Sequence, residues 1–263
     1  MADLARATGR VTMVPFTYSY MPLSRAIKQK LDEGYIGRPL HLNLRYYAGY
    51  GFNTDYVWRF DARKAGSGAI GDIGSHFMYL ARWWFGEIES VCALAGALLG
   101  RAPLDPEGQP YPQTEDSAIM LLKFASGAHG TIHASTVAWA GTPFGQTHHA
   151  ELNGAGGTLH GFCDWDTVQQ LSGAQVNQGA VRPLEIPESI WGGARRDTVH
   201  NTYRDVFRTQ DHMARAFVSA IARGADPATV APNFEDGCAI QRVVDAAVLS
   251  ARERRWVDAA EIR

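Results

Sequence analysis

The sequence predicts an α+β domain, a mainly antiparallel open sheet with helices packed on one face. Three observations lead there. Residues 40–47 alternate strictly, with Leu40, Leu42, Leu44 and Tyr46 on one side and His41, Asn43, Arg45 and Tyr47 on the other, as in a half-buried strand. Residues 117–124, 128–135, 148–153 and 158–162 are short strand-like runs separated by turns such as SGA and GAGG, so the middle of the chain is β-rich. Helical periodicity is confined to other segments: residues 22–34, 72–85, 204–222 and 234–252.

Taken in order, residues 2–7 read as the tail of a helix and residues 10–16 (RVTMVPF) as a buried strand, whose ladder groups need a partner. Pro22 opens a helix with Leu23, Ile27 and Leu31 as its buried stripe, and Gly34 stops it. The alternating strand is followed by an aromatic-rich loop (Tyr50, Phe52, Tyr56, Trp58, Phe60) and the glycine cluster AGSGAIGDIGSH. In the next helix Ile73, Phe77, Leu80 and Trp84 form a core stripe. Residues 172–202 mix polar, Pro and Gly residues and read as a long irregular loop. The helix over 204–222 is expected to bury Phe207, Met213, Phe217 and Ile221, and the helix over 234–252 to bury Ile240, Val243, Ala247 and Ala251. No internal repeat is present.

Composition narrows the function classes. With 263 residues, 46% hydrophobic, the chain has enough material for a real core. A net charge of −2 lacks the basic excess that nucleic-acid binding needs. Cys92, Cys163 and Cys238 are too few and too scattered for a disulfide framework or a Cys-rich zinc site, and suit a reducing cytoplasm. The longest apolar stretch, residues 91–100, falls short of the roughly 18 residues of a spanning helix. Asp3, Arg6 and Arg10 interrupt any signal-peptide core.

The segment Asp72-Ile73-Gly74-Ser75-His76 carries the chemistry. On a helix Asp72 and His76 share a face that Tyr79 and Trp83 continue, while Gly66, Gly68 and Gly71 let backbone pass close to a ligand. A carboxylate beside an imidazole fixes its tautomer and raises its proton affinity, which suits a general base. The alternative is structural: Asp72 as an N-cap and His76 as an ordinary half-buried histidine. The literal G-x-G-x-x-G of residues 66–71 follows the charged WRFDARKA rather than a strand, and so does not read as a dinucleotide fingerprint. His129/His133 and His148/His149 lie in or beside strands without a carboxylate cluster and read as structural; no metal site is expected. Arg195, Arg196, Arg204 and Arg208 read as a solvated face.

Four stretches carry a family resemblance: IKQKLDEGYIGRPLHLNLRYY, WRFDARKAGSGAIGDIGSHFMYLARWWFG, EDSAIMLLKFASGAHGTIHAS with HHAELNGAGGTLHGF, and NFEDGCAIQRVVDAAVLSARERRWV. Together they resemble the C-terminal, substrate-binding portion of the Gfo/Idh/MocA family, the glucose–fructose oxidoreductase and inositol dehydrogenase group. The resemblance implies a dihydrodipicolinate-reductase-like C-terminal fold and an NAD- or NADP-dependent dehydrogenase of a sugar, polyol or related metabolite. It gives His76 the role of base and Asp72 that of orienting it. Tyr18, Trp58, Arg59, Tyr79 and His149 are candidate substrate-binding residues, because aromatic faces and fixed donors suit polyhydroxylated ligands.

The departures from the family are specific. The Rossmann domain, its glycine loop and the Glu-Lys-Pro lysine are expected to be missing, so no cofactor-binding residue is named. Residues 1–16 resemble the last helix and strand of that domain, leaving 17–263 as the substrate-binding domain. Ser19 stands where the family usually has Arg, and Tyr79 where Asp is often found. The chain on its own is therefore expected to lack NAD(P) activity. Two other readings stay open: a stand-alone sugar-binding or partner subunit, and a cofactor-free Asp/His isomerase or lyase. A homo-oligomer formed through the sheet face is expected, with no nucleic-acid or membrane partner.

Overall fold

The computed structural model describes residues 1–139, 141 and 145–262. In chain order its elements are α1 (Ala2–Thr8), α2 (Pro22–Asp32), β1 (Pro39–Ala48), α3 (Ala62–Ala65), α4 (Ser75–Phe85), β2 (Ile88–Gly96), β3 (Ser117–Phe124), β4 (His129–Ser135), β5 (Gln146–Gly154), β6 (Gly157–Asp164), β7 (Gln169–Gln175), β8 (Arg182–Leu184), α5 (Glu188–Trp191), α6 (Val199–Arg204), α7 (His212–Ala222), α8 (Phe234–Glu253) and β9 (Val257–Asp258). The strands form a nine-stranded sheet in the order β8-β7-β6-β5-β1-β4-β3-β2-β9. It is mixed but mostly antiparallel; β1 runs parallel to β4 and antiparallel to β5.

Alternation along each strand separates two faces. Leu42, Leu44 and Tyr46 of β1 and Met120, Leu122 and Phe124 of β3 point inward, where α2, α4 and α8 cover them with Ile27, Phe77, Leu80, Ile240 and Val243. The opposite face is uncovered: Leu94 is 74% exposed and its neighbours Ile119 and Leu121 are also open.

Four sequence expectations are corrected. Residues 10–16 are not a strand. No strand lies beside them among the described residues; instead the Val14 amide donates to the Pro232 carbonyl and Thr12 Oγ1 accepts from the Phe234 amide, holding the stretch against the start of α8. Residues 91–100, judged only for membrane length, open with the last six residues of β2, Ile88–Gly96. Residues 172–202 are not a continuous loop, because Leu171, Ser172 and Gly173 of β7 pair with β8, and α5 and α6 follow. The helix expected over 204–222 is interrupted: a π-turn over Asp205–Thr209 and Asp211 at φ +49° reset its phase. Ala220 is then the buried residue of α7, and Ile221 is 53% exposed.

Candidate functional site

The helix that carries Asp72 and His76 begins with a π-turn, Ile70–Gly74, before continuing as α4. Such single wide turns recur at functional sites. The preceding glycine loop is pinned by Glu115, at the entry to β3: its Oε1 accepts from the Gly68 amide at 2.8 Å and from the Ile70 amide at 2.9 Å. Gly68 has to be glycine, since a Cβ there would lie 1.9 Å from the Glu115 carbonyl oxygen. The amides that a phosphate would use in a dinucleotide loop are thus already occupied by a side-chain carboxylate. This G-x-G-x-x-G is a packing device, and it does not fit a dinucleotide diphosphate.

Asp72 caps no amide; neither the π-turn nor α4 has a side-chain cap. Its carboxylate is held from outside the helix instead. The Tyr50 hydroxyl donates to Oδ2, and Arg59 Nε donates to Oδ1 at 3.3 Å. Arg59 in turn lies under the Trp58 ring, 4.7 Å from its centroid. Trp58, Arg59, Asp72 and Ser75 line a cleft of about 390 Å³ whose far wall includes Phe16 and Gln241.

His76 is half-buried between two rings, the Phe16 centroid at 6.0 Å and that of Tyr18 at 4.9 Å. Its Nδ1 is buried without a hydrogen-bond partner. Asp72 makes no hydrogen bond to it, and the expected rise in proton affinity is reversed. Burial pulls the imidazole down to about 4, against the smaller upward pull of the Asp72 charge. The ring is therefore neutral near pH 7 and free to accept a proton.

Behind His76 runs a buried polar chain. Tyr18 Oη lies 2.7 Å from Tyr46 Oη, Gln146 Nε2 donates to Tyr18 Oη at 3.2 Å, and Gln146 lies 2.9 Å from His148 Nε2. Burial holds both phenols protonated and pushes His148 down to about 3. The Gln146 amide nitrogen supplies its two hydrogens to Tyr18 Oη and to the neutral His148 Nε2.

The sequence-predicted residues divide. Asp72, Trp58 and Arg59 come together at the cleft, and His76 and Tyr18 stand side by side just behind it. Tyr79 lies apart from the cleft: it is buried, stacked on Phe16 at 4.5 Å and 10°, so it supports a wall instead of facing Asp72. His149 is on the opposite sheet face, with its ring against Arg45 and Phe162. The histidine turned toward the site is its neighbour His148, the cross-strand partner of Tyr46. The alternation of β1 and β5 carried that signal; Tyr50, in an irregular loop, offered none. Among the described residues no three His, Cys, Asp or Glu gather in a metal-binding arrangement, and no helix is long and apolar enough to cross a membrane.

The fold, a large mostly antiparallel sheet covered by helices on one face, is that of a family of oxidoreductases. The chain belongs to the GFO/IDH/MocA C-terminal domain family, whose model matches residues 24–160. It is 28% identical to a levoglucosan dehydrogenase of Pseudarthrobacter phenanthrenivorans over 100% of this chain and 70% of that protein. It is 28% identical to an inositol 2-dehydrogenase of Rhizobium meliloti over 94% of this chain and 65% of that protein. A levoglucosan dehydrogenase structure in complex with NADH and levoglucosan superposes with a TM-score of 0.76 at 26% identity, covering 94% of this chain and 66% of that one. The chain thus spans about two thirds of the length of these relatives. The matches extend across nearly all of the chain and do not support the expectation that a cofactor domain is missing from the protein.

Proposed function

We propose that residues 17–263 are the substrate-binding and proton-transferring part of an oxidoreductase acting on a sugar, polyol or related metabolite. The observation that supports this best is a neutral, unpartnered imidazole at His76 near a carboxylate, Asp72, that Tyr50 and Arg59 hold in place. Oxidising a carbinol to a carbonyl releases a hydride and a hydroxyl proton. His76 takes the proton, and the Asp72 charge favours the imidazolium that forms. Trp58 offers an aromatic face to the C–H side of a sugar ring. An NAD-type cofactor, such as the NADH bound in the levoglucosan dehydrogenase structure, would supply the hydride acceptor.

The test is calorimetric titration of the protein with neutral carbohydrates (levoglucosan, inositols, hexoses) and with sugar acids and sugar phosphates, followed by turnover with NAD. At least one carbohydrate is expected to bind, Asp72→Asn to weaken it about tenfold or more, and His76→Ala to abolish turnover. Failure of every carbohydrate to bind overturns the reading. Turnover without a nicotinamide would move the protein to isomerase or lyase chemistry.

We extend the proposal to self-association through the uncovered sheet face, supported by the apolar patch of Leu94, Ile119 and Leu121. Leu94→Glu is then expected to lower the sedimentation coefficient. A cytoplasmic location accords with three cysteines that are all free.

A further inference from the structure

Four arginines near residue 200 read alike in sequence but differ in space. Arg195 is engaged by Asp205 and Arg196 by Glu188. Arg204 and Arg208 have no carboxylate partner among the described residues, yet both line a cavity of about 330 Å³. They sit four residues apart on the continuous helical segment formed by α6 and the π-turn after it, so their guanidinium groups face the same space.

The rest of that cavity suits a hydroxylated ring. Tyr203 lines it half-buried, backed by the buried Trp165 ring at 5.2 Å between centroids and 48° between planes. Gln146 and Tyr18 supply polar groups at its floor. Tyr18 also ties the cavity to the reacting centre, because its ring is the one that lies 4.9 Å from His76. Two guanidinium groups without a carboxylate partner among the described residues, lining one cavity, make it attractive to an anion.

We propose that the substrate carries an anionic substituent, a carboxylate or a phosphate ester, which Arg204 and Arg208 hold in the cavity that Tyr18 joins to the surroundings of His76. The substrate class is then a sugar acid or a sugar phosphate and not a neutral polyol. This rests on the oxidoreductase reading above and adds a specificity that the reading does not require.

The experiment is calorimetric binding to the full chain of matched ligands: gluconate against glucitol, glucuronate against glucose, and a hexose phosphate against the hexose. At least one anionic member is expected to bind about tenfold tighter than its neutral counterpart, and which one wins separates carboxylate from phosphate. The double variant Arg204→Gln/Arg208→Gln is expected to erase the preference and leave the neutral ligands unchanged. Both side chains are exposed, so folding should persist, and circular dichroism checks it. Added salt should weaken only the anionic ligands. Equal affinity within every pair, or a preference that survives in the double variant, overturns this inference while leaving the oxidoreductase reading intact. Absence of binding by any member, neutral or charged, overturns both.

Discussion

Asp72 takes its hydrogen bond from Tyr50, 22 residues upstream in the chain, and not from His76 on its own helix. The carboxylate is thus fixed by a loop, and the imidazole is left with no bond to break before it accepts a proton. The two members of the pair are positioned independently.

Tyr50→Phe tests that arrangement. The ring remains, but Asp72 keeps only the 3.3 Å contact from Arg59. A hydrogen bond to a charged acceptor contributes about 1.5–3 kcal/mol, so carbohydrate affinity or turnover should fall about tenfold or more. Steady-state kinetics and calorimetry measure it, and wild-type values in the variant would remove Tyr50 from the site.

Acid should destabilise the fold through two histidines. His76 is pulled to about 4 and His148 to about 3, both by burial, from an ordinary value of 6.5. Because the folded values lie below the unfolded one, their stabilising contribution is complete above pH 6.5 and is lost as the pH falls through the folded values. The loss approaches about 1.4 kcal/mol per pH unit for each group. Urea unfolding at a series of pH values reads the slope, and His148→Gln should flatten it by one group's share. An identical slope in the variant would show that His148 does not bear this load.

Gly68→Ala should damage the whole segment. The added methyl meets the Glu115 carbonyl at 1.9 Å, and relieving the clash pulls apart the amide contacts that hold the loop. A cost of about 1–3 kcal/mol or more is expected, as for other overpacked positions. Denaturant unfolding measures it. Gly66→Ala makes a contrasting case: nothing lies within 4 Å, but its φ of +77° carries a backbone cost alone.

Trp58 is 50% exposed beside Asp72 and should report ligand directly. Carbohydrate binding is expected to change its fluorescence, and Trp58→Phe to remove most of that change. Trp58→Ala should weaken affinity about two- to tenfold through the lost aromatic face. A full fluorescence response in Trp58→Phe would place the ligand elsewhere.

Much of the fold was legible because its signals are local. The alternation over β1, the turns between the hairpin strands, and the helices α2 and α8 appear where periodicity placed them, with Ile240, Val243 and Ala247 of α8 buried and Ala251 half-buried. The misses have local causes too. Residues 10–16 have strand composition, but a strand exists only when another chain segment completes its ladder. The stripe read across 204–222 assumed one uninterrupted helix, and Asp211 in the left-handed region breaks the phase on which that reading depended.

Local pattern was enough to bring Asp72, His76, Trp58 and Arg59 into one argument, since spacing along a helix and the chemistry of side chains are written in the chain itself. It could not say that Tyr50 would reach Asp72, or that Arg204 and Arg208 would be left without a carboxylate among the described residues while Arg195 and Arg196 were paired. Those outcomes depend on which distant segments meet and on how far each group is drawn out of water. Burial, once the sheet and helices had closed over His76, outweighed the neighbouring charge that the sequence had suggested would govern it.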